Sequence, residues 1–157
     1  MLNKDARFLC KIKPYPDRGW HLKQRYIDNI GADCISPYTN IKETISNSRI
    51  LICTYPVTSF LEAMNSNVPT ILLIIKKHYA FNPVFNTVIK NMEDASIIFY
   101  DANEAAKHIN TVWKNPNEWW MKKKTIEARN LFFKVCGSVK KDWLEEWTNF
   151  FEKELQN

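Results

Sequence analysis

The feature that most constrains this sequence is the segment at residues 49–54, a largely apolar run without alternation whose residues 50–53 are all apolar. It leads through a short polar turn into a helical segment at about residues 59–66 and then into a second apolar run at residues 70–75. Apolar runs without alternation are typical of strands that are buried on both faces, as in parallel sheets. Two such strands joined by a helix form a right-handed β-α-β unit. The sequence therefore predicts an α/β domain.

The same alternation of apolar runs and helical segments extends along most of the chain. We predict about five strands, at residues 7–13, 33–36, 49–54, 70–75 and 96–100. The expected architecture is a Rossmann-like parallel sheet with helices on both faces. Residues 1–157 are predicted to form one domain, with a helical extension over about residues 101–157.

Composition and charge exclude several classes of protein. No apolar run approaches the roughly 18 residues of a membrane span, and the charged N-terminus lacks an apolar signal stretch. These features predict a cytoplasmic protein without a transmembrane segment. The net charge of +5 is already present in the first 25 residues, which suits an anionic ligand. No basic run is interleaved with aromatic residues, so we expect no nucleic-acid partner.

Histidine and cysteine spacing gives no sign of a metal centre. The three histidines lack the HxxH or HExxH spacing of metal ligands, and no two of the four cysteines form a CxxC pair. The sequence predicts no protein-built metal site and favours inert thiols.

The polar turn after residues 49–54 is the strongest candidate for a binding site. In an open parallel sheet, ligands bind beyond the carboxyl ends of the strands. The turn places Thr58 and Ser59 at the start of a helix, where free N–H groups and a partial positive charge favour phosphate. A structural alternative is that Ser59 caps the helix and Glu62 completes a capping box. Both hypotheses can hold together.

Two cations and one aromatic side chain follow the first predicted strands. Lys13 and Arg18 are expected at the same edge of the sheet as Thr58, where either could pair with a diphosphate. The alternative is that both are solvent-exposed cations. Tyr38 could stack on a base, although packing is the favoured interpretation.

Aromatic residues recur at helical spacing in the last third of the chain. This pattern, which includes Trp119-Trp120, Trp143 and Trp147, is more typical of a core or of a domain interface than of a binding stripe. We therefore predict that these rings pack, in part against another domain.

Several of these motifs together resemble the donor-binding region of GT-B glycosyltransferases. The chain is similar to the C-terminal part of bacterial surface-carbohydrate and lipopolysaccharide biosynthesis transferases. The resemblance covers most of residues 7–150. It is carried by Lys13, Asp17 and Gly19-Trp20, by residues 53–62 from Cys-Thr-Tyr to Glu62, and by Trp119-Trp120, Ala128-Arg129 and Phe132 or Phe133.

The resemblance implies a Rossmann-like fold that binds a nucleotide-activated sugar as a substrate, with no cofactor and no protein-bound metal. It implies that Thr58 and Ser59 approach the donor phosphates and that Glu62 binds the ribose or the sugar. Lys13, Arg18 and Tyr55 complete the predicted donor site. The implied location is cytoplasmic, either free or peripheral at the inner membrane.

Two departures from the family pattern limit the expected activity. Asn67 stands where the family usually has glycine before Val-Pro. An N-terminal Rossmann-like half, which in GT-B enzymes carries the catalytic base and the acceptor site, is expected in the same or an adjacent chain. Alone, the domain should bind its donor without turnover. The alternatives are a non-catalytic module or fragment that binds a partner, and a polyol-phosphate transferase.

Overall fold

The computed structural model describes residues 1–16, 18–137 and 141–155. Over these ranges the chain forms three short strands among α-helices. The strands are β1 (Leu51–Cys53), β2 (Thr70–Leu73) and β3 (Ile98–Phe99). The helices are α1 (Lys4–Leu9), α2 (Leu22–Ile30), α3 (Ile41–Ser46), α4 (Thr58–Asn65), α5 (Asn86–Asp94), α6 (Ala102–Val112), α7 (Pro116–Trp120), α8 (Lys123–Cys136) and α9 (Trp143–Leu155).

The three strands form one parallel sheet in the order β1-β2-β3. Leu51 pairs with Thr70, and Leu72 pairs with Ile98. In β2, the consecutive residues Ile71 and Leu72 are 0% and 2% exposed. Because consecutive side chains of a strand point to opposite faces, β2 is covered on both sides. The predicted parallel α/β arrangement is therefore correct, with β2 at its centre.

The prediction of about five strands is wrong, because the first two predicted strands form helical turns. Part of residues 7–13 belongs to α1, whose N-cap Asn3 accepts a hydrogen bond from the Ala6 N–H at 2.8 Å. Ala6 is buried, so the helix contributes an apolar face to the core. A capped start and this burial outweigh the weak strand pattern of the segment.

The two predicted strands at residues 7–13 and 33–36 are joined by one parallel bridge instead of a β-ladder. The segment at 33–36 begins as a 3-10 turn, Ala32–Cys34. Ile12 then pairs with Ile35, and the Ile12 N–H donates to the Cys34 carbonyl at 2.6 Å. This bridge lies outside the three-stranded sheet.

Several helices begin and end at residues with the side chains or backbone conformations typical of helix caps. Asn40 caps α3 by accepting from the Glu43 N–H at 2.8 Å, and Asp101 caps α6 in the same way. Gly31 ends α2 with a φ of 107°. From Pro116 onward the chain forms two consecutive helices, α7 and α8.

The aromatic residues of the C-terminal helices are buried in α7 and exposed in α9. Trp119 and Trp120 are 5% and 1% exposed and belong to the core, as predicted. In α9 no residue is buried, and Trp147 contacts the rings of Phe150 and Phe151 on the same helix. The rings of α9 therefore do not enter the core of the described chain.

Asn67 joins the end of α4 to the start of β2 and also anchors the C-terminal helices. Its φ of 57° lies in the left-handed region, as expected for a residue that stops a helix. Its side-chain oxygen accepts hydrogen bonds from Trp120 Nε1, at 3.0 Å, and from the guanidinium of Arg129. Arg129 is 8% exposed and lies 4.3 Å from the centre of the Trp120 ring. Burial lowers the pKa of Arg129.

The Asn67 junction generates a stability prediction. Asn67→Gly keeps the left-handed backbone but removes the acceptor of two largely buried donors, so we expect a loss of about 1–3 kcal/mol in the free energy of unfolding. Asn67→Asp keeps an acceptor beside the guanidinium and should be at least as stable as the wild type. Urea unfolding followed by circular dichroism measures both. Equal stability of Asn67→Gly and the wild type would contradict this role.

Candidate binding site at the carboxyl edge of the sheet

The turn between β1 and α4 opens the carboxyl edge of the sheet to solvent. Cys53, the last residue of β1, is 8% exposed, whereas Tyr55 and Val57 are 63% and 53% exposed. Thr58 is also exposed and is the first residue of α4. The predicted burial on both faces is wrong for β1, because its middle residue, Ile52, is 40% exposed. The buried end of the strand at Cys53 nevertheless leads through an exposed turn directly to a helix N-terminus, as the sequence predicts.

The N-terminus of α4 has no side-chain cap. Val57 is the N-cap residue, and its carbonyl accepts from the N–H groups of Phe60, at 2.9 Å, and Leu61, at 3.2 Å. The N–H groups of Thr58 and Ser59 have no acceptor among the described residues. Free donors at a helix N-terminus carry a partial positive charge and favour anions.

The capping-box alternative for Ser59 and Glu62 is wrong. The helix begins at Thr58, so Ser59 is its second residue and Glu62 its fifth. A capping box requires the hydroxyl at the N-cap and the carboxylate three residues later. The proline before Val57 has no side-chain oxygen, so it offers no side-chain acceptor to the free N–H groups of the helix start.

The loop after β2 supplies side chains that sequence reasoning missed. A 3-10 turn at Lys76–His78 leads to Tyr79, whose ring meets that of Tyr55 edge to face at 6.3 Å. The Tyr79 hydroxyl makes a long hydrogen bond of 3.5 Å to the Thr54 carbonyl. The sequence did contain a signal for this loop. The loop follows the apolar run at residues 70–75, just as the turn with Tyr55 follows the run at residues 49–54, so both are expected at the carboxyl ends of neighbouring strands.

Thr58 and Glu62 also line a groove between α3 and α4. The groove has a volume of about 610 Å³ and is flanked by Lys42 from α3 and by Leu61. Helix periodicity explains the grouping, since residues three and four apart lie on one face. Tyr55 and Ser59 lie outside this groove lining. The predicted site residues are therefore divided between the groove, with Thr58 and Glu62, and the exposed turn.

Lys13 and Arg18 make contacts within their own part of the chain. Lys13 Nζ donates to the carbonyls of Tyr38, at 3.2 Å, and Thr39, at 2.8 Å. The Arg18 guanidinium lies 5.7 Å from the centre of the Tyr15 ring. Neither contact involves the turn before α4. Asp17, part of the same motif, lies outside the described residues.

The LIC12162 family transferase profile matches residues 1–151. The chain belongs to this family of transferases. No curated protein and no solved structure matches the chain. Membership establishes the predicted class, a transferase, and leaves the transferred group open.

Across the described ranges, no three His, Cys, Asp or Glu side chains form a group that could hold a metal ion. In the same part of this LIC12162 family transferase, no helix is both long and apolar enough to cross a bilayer.

The packing under the candidate site can be tested through its cysteine. Burial raises the pKa of Cys53 to about 11, so its thiol should resist alkylation in the folded protein. Cys136, which is exposed on α8, is the internal control. We expect iodoacetamide to modify Cys136 in the native protein and Cys53 only after unfolding, as read by peptide mass mapping. Rapid native labelling of Cys53 would mean that the end of β1 is not packed.

Proposed function

We propose that this chain is the donor-binding half of a GT-B-type glycosyltransferase that acts in bacterial surface-polysaccharide or lipopolysaccharide biosynthesis. Its donor would be a nucleotide-activated sugar. The observation that carries the proposal is the uncapped start of α4 directly beyond the carboxyl end of β1, with the N–H groups of Thr58 and Ser59 without acceptors among the described residues.

The physical basis is the charge of the leaving group. Transfer of a glycosyl group releases a nucleoside diphosphate, on which negative charge develops as the bond to the sugar breaks. Fixed N–H donors and the helix dipole stabilise this charge without having to reorganise during the reaction. The exposed Thr58 hydroxyl can add one further donor to a phosphate oxygen.

The groove residues give the rest of the donor a place to bind. Glu62 lies one helical turn after Thr58, on the same side of α4, and its carboxylate can accept hydrogen bonds from ribose or sugar hydroxyls. Lys42, across the groove, can pair with a phosphate. Arg18 is exposed, and we propose that it approaches the donor as a cation from the N-terminal segment.

Catalysis in this proposal needs groups from an N-terminal Rossmann-like half, in the same or an adjacent chain. That half would supply the catalytic base and the acceptor site. The domain described here would then bind its donor with an affinity in the micromolar to millimolar range that is usual for enzyme substrates. It would not turn the donor over by itself.

The proposal predicts that removing one backbone donor weakens nucleotide binding. Thr58→Pro deletes the N–H at the first helical position, where proline is well tolerated, and Val57 already has the extended backbone that proline requires before it. We expect binding of the preferred nucleoside diphosphate to weaken by about 10- to 100-fold, as for a lost hydrogen bond to a charged group. Calorimetric titration with ADP, CDP, GDP, UDP and dTDP measures this.

The matched control is Thr58→Ala, which keeps the N–H and removes only the hydroxyl. Its affinity should fall by less than about tenfold. Circular dichroism would establish that α4 is intact in both variants. If the wild type and Thr58→Pro bind the same nucleotide equally well, the helix start does not hold the phosphates.

A second candidate function is a non-catalytic module that binds another polypeptide, and α9 favours it. Trp147, Phe150 and Phe151 are 54%, 52% and 55% exposed on one side of this helix. Clustered aromatic rings that remain exposed to water are typical of a surface that binds another molecule.

This candidate predicts that the α9 rings contribute nothing to the core. A Trp147→Gln/Phe151→Gln double variant should change the free energy of unfolding by less than about 0.5 kcal/mol and should lower self-association and hydrophobic-dye binding. Trp120→Ala, which empties a buried site, should cost about 3–5 kcal/mol. Comparable destabilisation by both would show that α9 packs on the domain.

A further inference from the structure

Tyr55 presents an exposed aromatic ring at the carboxyl edge of the sheet. Its side chain is 63% exposed, although it lies only two residues after the buried Cys53. Leaving a large ring in water forgoes the stabilisation that burial would give it. A ring held in that position is available to stack on a planar ligand.

The neighbouring loop holds this ring in place. Tyr79 meets Tyr55 edge to face with ring centres 6.3 Å apart, and Phe81 stacks on Tyr79 with centres 6.2 Å apart. The hydroxyl of Tyr79 reaches the Thr54 carbonyl at 3.5 Å. The loops that follow β1 and β2 are therefore joined, and Tyr55 is the most exposed ring of the three.

Cations lie in the same loop. Lys76 and Lys77 are exposed and lie three and two residues before Tyr79. Lys76 Nζ lies 5.1 Å from the centre of the Tyr100 ring, which follows β3. The turn at 54–59 contains no acidic residue. The edge thus combines an aromatic surface with positive charge, which suits a ligand that has both a planar ring and phosphates.

The spacing between Tyr55 and Thr58 matches one such ligand. They are three positions apart in the chain, so their Cα atoms are at most about 11 Å apart. A nucleotide carries its base and its phosphates on opposite sides of one ribose and can reach both residues. Tyr38, the alternative stacking residue, is half-buried, and Lys13 is bonded to its carbonyl.

We propose that Tyr55 is the base-stacking residue of this chain, that Tyr79 positions it, and that Lys76 and Lys77 attract the diphosphate of the same ligand. The ligand class is a nucleoside diphosphate or its sugar ester. This inference rests on the proposed function, because the uncapped start of α4 must hold the phosphates while Tyr55 holds the base. It adds a recognition element that distinguishes a nucleotide from a simple diphosphate.

The test compares nucleoside diphosphates with inorganic pyrophosphate by calorimetric titration. Alanine in place of a stacking aromatic costs about 1–3 kcal/mol per base, which corresponds to an affinity loss of about 5- to 100-fold. Tyr55→Ala should show this loss for the preferred nucleoside diphosphate and should leave pyrophosphate affinity unchanged. Tyr55→Phe, which restores the ring, should recover most of the affinity.

Tyr79 has its own readout as a positioning residue. Tyr79→Phe keeps the ring contact and removes only the hydroxyl bond to Thr54, so it should weaken nucleotide binding less than Tyr79→Ala. Trp143→Ala removes a ring of α9 that is 54% exposed, against 63% for Tyr55, and is the control for a general effect of lost surface aromatics. It should change neither the nucleotide affinity nor the pyrophosphate affinity.

The outcomes separate this inference from the proposed function. If pyrophosphate binds as tightly as every nucleoside diphosphate, and Tyr55→Ala weakens neither, the phosphate site stands and base stacking is overturned. If neither probe binds the wild type at millimolar concentration, both proposals are overturned. A loss with Tyr55→Ala that Tyr55→Phe does not restore also overturns the stacking role.

Discussion

The covering of β2 on both faces is the constraint on which the rest of this structure depends. Ile71 and Leu72 are fully buried on opposite sides of the strand, and β1 and β3 pair with it on either edge. With both faces packed and both edges paired, β2 can offer a ligand only its ends. The left-handed turn at Asn67, held by Trp120 and Arg129, starts β2 and ties α7 and α8 to the sheet.

The two ends of the sheet consequently carry different kinds of contacts and side chains. At the amino end of β2, buried donors from the C-terminal helices converge on Asn67, and the contacts are structural. At the carboxyl end, the exposed turn that contains Tyr55, the start of α4 and the Lys76–His78 turn bring free N–H donors, aromatic rings and cations together. The second kind of surface is the one that the proposed anionic donor would require.

Helix starts and stops were predictable because their signals are local. Asn40 and Asp101 cap the helices that follow them, and Gly31 and Asn67 end helices with positive φ angles. The start of α4 was predictable to within one residue, but its capping was not. A shift from Ser59 to Thr58 moves both the hydroxyl and Glu62 out of the capping positions. Residues 7–13 were harder, since burial of Ala6 and the Asn3 cap decide the helix there.

The sequence by itself determined that the chain forms a parallel α/β domain and that a helix starts close to Ser59, soon after an apolar strand, because apolar runs, turn residues and helix caps act over a few neighbouring positions. Only the tertiary structure decided which side chains share the carboxyl edge. Tyr79 lies beside Tyr55 because parallel pairing aligns the ends of β1 and β2, whereas Lys13 is held by the carbonyls of Tyr38 and Thr39. Such proximity depends on strand order and packing between distant segments, which local patterns do not encode.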